Sequence, residues 1–240
     1  MFKWEPCRSD GRLPVLLDPY GGAGSRRVTA AHDWRTLVSQ WFAEQGFAVL
    51  VADGRDTPGR GPDWERAVHG DLFGPVLDDQ AALREAARAH PVLDTGRVGI
   101  RRWSFGGSLA APAVLRRPDV FHAAGAGAGA GVTDQRRYPG HWRERFLGHR
   151  DRHPERYDAC SLLREVPRLT RPLLLVHGLA DPKVLPAHTL RLSEALLAAG
   201  RPHDVLLLPG EGHQPVGSAR TENLLHQVRS LQRHLGVAPR

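Results

Sequence analysis

The chain has 240 residues, of which 41% are hydrophobic and 25% are charged, as is ordinary for a globular protein with a substantial core. No apolar run approaches the roughly 20 residues that a membrane-spanning helix needs, and the N-terminal residues lack the hydrophobic segment of a secretion signal. A net charge of +7 would suit nucleic-acid binding, but the basic residues are nearly all arginines, scattered along the chain and mixed with acidic residues, which indicates a solvated surface instead.

The first part of the chain alternates between predicted strands and helices. Residues 13–18 form an apolar run between prolines, which predicts a buried strand. Apolar residues at helical spacing predict a helix over 34–45, and Gly46 is expected to end it. The continuously apolar run 47–52 predicts a strand buried on both faces, and the alanine-rich stretch 78–89 predicts a second helix.

A strand, a tight turn and a helix are predicted in immediate succession over residues 97–115. The strand covers 98–102, a turn containing Ser104 follows, and the helix is rich in small residues. This is the layout of a nucleophile elbow, in which the turn exposes the serine hydroxyl and directs the next backbone N–H toward a developing oxyanion. The elbow pattern is G-x-S-x-G, and Arg102 stands at its first position.

The second half continues the alternation. A strand of small residues is expected within 121–131, and 133–163 is expected to be an excursion of short helices. Strands are predicted over 172–177 and 204–208, and helices over 186–199 and 218–235. The pattern predicts a single α/β domain over 1–240, with a mainly parallel sheet, helices on both faces and an irregular lead over 1–12.

Three polar side chains, Ser104, Asp181 and His213, each stand just past a predicted strand. Because the carboxyl ends of parallel strands meet at one edge of the sheet, we expect these residues to converge there. A serine needs an imidazole to take its proton during attack, and a carboxylate on the far ring nitrogen fixes the tautomer. The chain order Ser, Asp, His is that of the catalytic triad in the α/β-hydrolase fold, which we therefore predict.

Two neighbouring residues offer alternative interpretations. Glu211 is a second candidate for the acid, but it lies only two residues from His213, and a carboxylate at a separate strand end fits better. His177 ends the strand before Asp181, and we interpret it as structural.

We expect no cofactor and no metal. Cys7 and Cys160 form neither a metal-binding spacing nor a disulfide framework. Gly125, Gly127 and Ala130 match a dinucleotide-binding pattern, but no amphipathic helix follows them. We expect a cytoplasmic location and neither nucleic acid nor membrane as a partner, while the oligomeric state stays open, a homodimer included.

Five motifs in order carry a family resemblance across most of the chain. They are DPYGG (18–22), ADGRDTPGRG (52–61), WSFGG (103–107), HGLADPKV (177–184) and PGEGH (209–213). With them the chain resembles the catalytic domain of the prolyl oligopeptidase family of serine peptidases, closest to its dipeptidyl-peptidase and acylaminoacyl-peptidase branches.

The resemblance implies roles for individual residues. Ser104 would be the nucleophile, Asp181 the acid and His213 the base. The Tyr20 phenol and the Phe105 backbone N–H would stabilise the oxyanion. An apolar pocket for the side chain before the scissile bond would be formed by Phe105, Val132, Tyr138, Trp142 and Val184.

The chain departs from the family pattern at several positions. The family has glycine where Arg102 and Asp56 stand, and tryptophan where Gln135 stands. Lys183 replaces an asparagine that contacts the substrate backbone in some members, and Pro182 replaces an aspartate. Family members usually carry a β-propeller before the hydrolase domain. We expect this chain to be either a fragment or a hydrolase that works without one.

Three functions are compatible with the sequence. The first is a serine peptidase that cleaves peptide bonds through an acyl-enzyme. The second is an esterase that uses the same residues on small acyl esters. The third is a weakened or inactive relative that serves as an interaction domain, because the long charged side chain of Arg102 at a crowded elbow needs a path to solvent.

Overall fold

The computed structural model describes residues 11–22, 24–31, 33–128, 134–137 and 140–239. Its strands are β1 (Leu13–Leu17), β2 (Ala48–Leu50), β3 (Leu93–Trp103), β4 (Ala123–Gly127), β5 (Leu173–Gly178) and β6 (Asp204–Leu208). They form one sheet in the order β2-β1-β3-β4-β5-β6, and every neighbouring pair is parallel. All carboxyl ends of the strands therefore open on the same edge.

Helices cover both faces of the sheet. They are α1 (Trp34–Glu44), α2 (Pro62–Arg66), α3 (Gly74–Ala87), α4 (Phe105–Arg116), α5 (Gly140–Leu147), α6 (Pro154–Ala159), α7 (Ala187–Ala198) and α8 (Gly217–Leu235). On one face, Phe42 of α1 and Leu231 of α8 pack in a cluster with Leu16 of β1. On the other face, the larger cluster joins Leu109 of α4 with Leu192 of α7. The predicted parallel sheet with helices on both faces is confirmed.

One local prediction was wrong, and one short helix was not predicted. The run 47–52 forms only the three residues of β2, and these are half-buried, because β2 lies at the edge of the sheet and pairs with β1 alone. The loop after β2 contains the short helix α2, which the sequence analysis missed. Its signals were Pro62 in the first turn and the acidic residues Asp63 and Glu65, which favour a helix N-terminus.

Between β4 and β5 the described residues form short helices and no strand. They are α5, α6 and the single 3₁₀ turns Gln135–Arg137, Leu162–Arg164 and Val166–Arg168. Tyr157 of α6 is buried in the larger apolar cluster, and its hydroxyl donates to the backbone carbonyl of Gly148 at 2.8 Å. Among the helices that the structure describes, none combines the length and the hydropathy that crossing a bilayer requires.

Candidate active site

Ser104 occupies the sharp turn between β3 and α4. Its backbone has a φ of 59° and a ψ of −128°, a strained conformation for a residue with a side chain, of the kind that concentrates at functional sites. The Ser104 N–H donates to the carbonyl of Gly127 at 2.8 Å, which ties the turn to β4. A Cβ at position 107 would overlap that same carbonyl oxygen, so Gly107 is required where α4 leaves the sheet.

Asp181 lies in the loop after β5 and is buried. Its Oδ1 accepts two backbone hydrogen bonds, from the N–H of Lys183 at 2.8 Å and from that of Val184 at 3.0 Å. These bonds fix the carboxylate plane and leave Oδ2 for a different partner. Oδ2 lies 2.7 Å from Nδ1 of His213.

His213 joins the other two residues. Its Nε2 lies 2.9 Å from the Oγ of Ser104, while Nδ1 contacts Asp181. The loop that carries it is held from two sides: the Ala180 N–H donates to the carbonyl of Glu211 at 2.9 Å, and the indole Nε1 of Trp103 donates to the His213 carbonyl. The sheet thus brings Ser104, Asp181 and His213 into one continuous hydrogen-bonded chain.

The two alternative residues lie elsewhere in this network. The Glu211 carboxylate accepts from the backbone N–H of Val216 at 3.0 Å and has no hydrogen bond to His213. His177 is fully buried beneath the acid, with Nε2 2.8 Å from the Val184 carbonyl and Nδ1 2.6 Å from the Thr189 hydroxyl. Burial lowers its pKa, so the ring is neutral and braces the Asp181 loop.

Arg102 does not reach solvent but turns inward. It is 6% exposed, and its Nη1 lies 3.1 Å and 3.3 Å from the two carboxylate oxygens of Asp18. Gly106 provides the space, since a Cβ there would come within 2.7 Å of the Arg102 Cβ and 2.8 Å of the Pro19 carbonyl. The arginine is accommodated without separating Ser104 from His213.

Asp18 is the centre of a buried ionic cluster that the sequence analysis missed. Besides Arg102, its carboxylate contacts Arg27 at 3.0 Å, Arg101 at 3.3 Å and the Ser39 hydroxyl at 2.6 Å. Burial would raise the pKa of Asp18, but the three guanidinium groups outweigh it and hold that pKa below its usual range. The one available signal was a carboxylate at the end of a predicted buried strand.

Replacing Arg102 with glycine is expected to lower the free energy of unfolding by about 1–3 kcal/mol, because the variant loses charge-assisted hydrogen bonds to Asp18 and gains backbone freedom. It is not expected to raise catalytic activity, since Arg102 leaves the Ser104–His213 contact intact. Urea denaturation measures the first effect and kcat/KM the second. A rise in kcat/KM of about tenfold or more would mean that the arginine strains the elbow.

A cleft of about 360 Å³ opens beside Ser104 and His213. Tyr20, Trp103 and Val184 line it together with residues of α1 and α8. The Tyr20 ring lies 6.4 Å from the ring of Phe105, which itself packs against Phe73 at 6.4 Å. Of the predicted pocket residues, Phe105 and Val184 are both buried.

The other predicted pocket residues, Val132 and Tyr138, lie outside the described residues, as does the side chain of Trp142.

The part of the chain that the structure does describe contains no cluster of three or more His, Cys, Asp or Glu side chains suited to holding a metal ion.

Comparisons with known proteins agree with this architecture. A family model described as the prolyl oligopeptidase family matches residues 33–237. Dipeptidyl peptidase 8 of Homo sapiens is 35% identical over 242 residues, which covers 98% of this chain and 27% of that protein. Dipeptidyl peptidase family member 1 of Caenorhabditis elegans is 28% identical, covering 90% of this chain and 26% of that protein.

A solved structure has the same fold. The crystal structure of Porphyromonas gingivalis dipeptidyl peptidase 4 matches with a TM-score of 0.86 at 30% identity, over 97% of this chain and 32% of that one. This chain therefore spans about a quarter of the length of the curated relatives it matches. The fold is that of the corresponding catalytic domains.

Proposed function

The chain belongs to the prolyl oligopeptidase family, and we propose that it hydrolyses peptide bonds as a serine peptidase with an α/β-hydrolase fold. The observation that carries the proposal is the hydrogen-bonded chain from Ser104 through His213 to Asp181 at the carboxyl edge of the sheet. Each residue has the partner that its role requires: a base for the hydroxyl and a carboxylate for the base.

The proposed reaction proceeds in two halves. The Oγ of Ser104 attacks the scissile carbonyl carbon while Nε2 of His213 takes the hydroxyl proton. The tetrahedral intermediate collapses, the C–N bond breaks, and the imidazolium gives its proton to the departing amine. Water then attacks the acyl-enzyme with His213 again as base, which releases the acid and restores Ser104. Asp181 holds the Nδ1–H tautomer throughout and stabilises the imidazolium.

The oxyanion is proposed to be stabilised by the Tyr20 phenol and the backbone N–H of Phe105. Phe105 is the residue directly after the nucleophile and the first of α4, so its N–H belongs to the positive end of the helix. Tyr20 lies on the cleft wall with its ring near that of Phe105. A phenolic O–H is a suitable donor to a developing alkoxide.

Tyr20→Phe tests this role because it removes one hydroxyl and keeps the ring. We expect kcat to fall by about 10²–10³ with a small change in KM, since the hydrogen bond is made in the transition state. Steady-state kinetics on a peptide anilide measures both constants, and the thermal midpoint checks that the ring packing is unchanged. A fall in kcat below about threefold would remove Tyr20 from the oxyanion site.

On the acyl side, the side chain before the scissile bond is proposed to enter an apolar pocket. Val184 and Phe105 are its described members, and Val132, Tyr138 and Trp142 are proposed to complete it. An apolar pocket of this kind favours a compact hydrophobic side chain through the burial of its surface.

Labelling with a fluorophosphonate probe tests the proposed chemistry directly. The probe reacts with serine only when a base activates the hydroxyl, so we expect a single adduct on Ser104 by peptide mass spectrometry. Absence of label in folded protein would overturn the proposal and favour a non-catalytic interaction domain. Comparing p-nitrophenyl esters with dipeptide and acyl-amino-acid anilides then separates a peptidase from an esterase that uses the same residues.

A further inference from the structure

The cleft beside Ser104 is strongly cationic. Five of the side chains that line it are basic: Arg35, Arg101, Arg102, Lys183 and Arg220. No aspartate or glutamate lies among the described residues that line it. We call this set the cationic cleft.

The carboxylates around the cationic cleft do not neutralise it. Asp18 is buried behind the wall and is shared among three guanidinium groups, which leaves an excess of two positive charges. Asp33 pairs with Arg35 at 3.4 Å. Lys183 and Arg220 are exposed and form no ion pair with any residue that the structure describes.

Arg101 and Arg102 contribute charge from behind the cleft wall. Both are buried, and both contact the Asp18 carboxylate. Their guanidinium groups therefore raise the positive potential of the cleft, while the exposed side chains of Lys183 and Arg220 are the ones that can contact a ligand directly. An arginine guanidinium matches a carboxylate well because its donors form a fixed fork.

The position of the cleft relative to the reacting atoms assigns it to one side of the substrate. His213 and the two residues after it, Gln214 and Pro215, form part of the wall. The imidazole must deliver its proton to the leaving group, so the leaving group lies on the side of His213. Of the two described residues of the acyl-side pocket, Val184 also lines the cleft and Phe105 does not. The cationic cleft therefore borders the acyl-side pocket at Val184 and extends along His213, Gln214 and Pro215, the side assigned to the portion of the substrate that follows the scissile bond.

We propose that the cationic cleft binds a carboxylate carried by the leaving portion of the substrate. This inference rests on the proposed peptidase function and deepens it. A peptide offers this chemistry in two ways, as the free α-carboxylate of its last residue or as the side chain of Asp or Glu. In either case Lys183 and Arg220 contact the anion, the buried Arg101 and Arg102 add positive potential behind them, and the enzyme discriminates against leaving portions that carry no negative charge.

Three peptides that share the acyl part Ala-Pro separate these sources. They end in Leu with a free carboxylate, in Leu-amide, and in Glu-amide. We expect kcat/KM for the free acid to exceed that for Leu-amide by about tenfold or more, because a charge-assisted pair is gained. The advantage should shrink at high salt because the cleft is open to solvent. The Glu-amide peptide should have the kcat/KM of the free-acid peptide if a side-chain carboxylate reaches the site. It should have the kcat/KM of the Leu-amide peptide if only the α-carboxylate of a chain end binds there.

The variant Lys183→Gln/Arg220→Gln should lower the ratio of kcat/KM for the free acid to kcat/KM for Leu-amide to near one. Arg229→Gln is the control for the Arg220 substitution, since it removes one positive charge from the same helix α8 at an exposed position outside the cleft. It should keep the ratio. A ratio near one in the unsubstituted protein, or a ratio that survives the double substitution, overturns the proposal.

Calorimetric titration of Ser104→Ala protein with the same peptides makes the result independent of turnover. If no peptide is hydrolysed, the peptidase proposal fails. The relative affinities for the free-acid and amide peptides still decide whether the cationic cleft binds a carboxylate. We expect the acid to bind about tenfold more tightly, and the double substitution to remove the difference. Equal affinities, or no binding of the free acid, overturn it.

Discussion

A Ser104→Ala variant is expected to lose on the order of 10⁴–10⁶ in kcat, because removal of the nucleophile ends covalent catalysis and leaves only binding and oxyanion stabilisation. The substitution deletes one oxygen atom. It leaves the backbone hydrogen bond from position 104 to Gly127 and the His213–Asp181 contact in place. Stopped assays on a peptide anilide at high enzyme concentration measure the residual rate.

The control for this variant is Ser218→Ala, which removes an exposed hydroxyl near the start of α8 and should leave kcat unchanged. Both variants should unfold at the same temperature as the parent chain, since neither hydroxyl supports the core. Residual activity in Ser104→Ala within about tenfold of the parent would place the nucleophile elsewhere, whatever the geometry around His213.

The convergence of Ser104, Asp181 and His213 could be anticipated from sequence because it depends on one physical rule. In a parallel sheet every strand ends on the same edge, so residues just past strand ends become neighbours regardless of their separation along the chain. The strands themselves were visible as apolar runs, although only the central ones, such as β1 and β5, are buried along most of their length, and the edge strands β2 and β6 are partly exposed. β6 was predicted with its observed bounds, Asp204–Leu208.

The ionic cluster around Asp18 could not be anticipated, because its partners come from distant parts of the sequence. Arg27 lies in the loop after β1, while Arg101 and Arg102 lie at the end of β3. A local pattern contains charges but not their pairing. The expectation that Arg102 needs a path to solvent followed from its charge alone and failed because Asp18 lies within reach.

The bounds of strands were less predictable, because they depend on pairing with strands that are distant in the sequence. The sequence 47–52 reads as a central strand, yet tertiary pairing shortens it to β2 at the sheet edge. β3 extends back to Leu93 because Leu13 pairs with that residue before the register shifts between Pro14 and Val15. An apolar run therefore predicts a strand but fixes neither the length of that strand nor its number of partners.

Asp181→Asn is expected to lower kcat by about 10⁴, and the hydrogen bonds of the carboxylate explain why. Oδ1 accepts from the backbone N–H groups of Lys183 and Val184, so an asparagine must place its carbonyl oxygen there. Its NH₂ group then faces Nδ1 of His213, where a donor cannot meet the Nδ1–H tautomer. The ring shifts its proton to Nε2, which then donates to Ser104 and cannot accept the hydroxyl proton.

Glu211→Gln is the matched test of the other carboxylate, because it makes the same chemical change two residues from His213. Its acceptor bond from the Val216 N–H can be kept by the amide oxygen, so we expect less than about a tenfold effect on kcat. The fall in kcat of Asp181→Asn is expected to come from a wrong His213 tautomer in a folded protein. pH–rate profiles distinguish this cause from misfolding, because misfolding does not change how the remaining folded protein titrates. If Glu211→Gln is the more damaging of the two, the acid of this site is Glu211, and the buried carboxylate of Asp181 serves only to brace its loop.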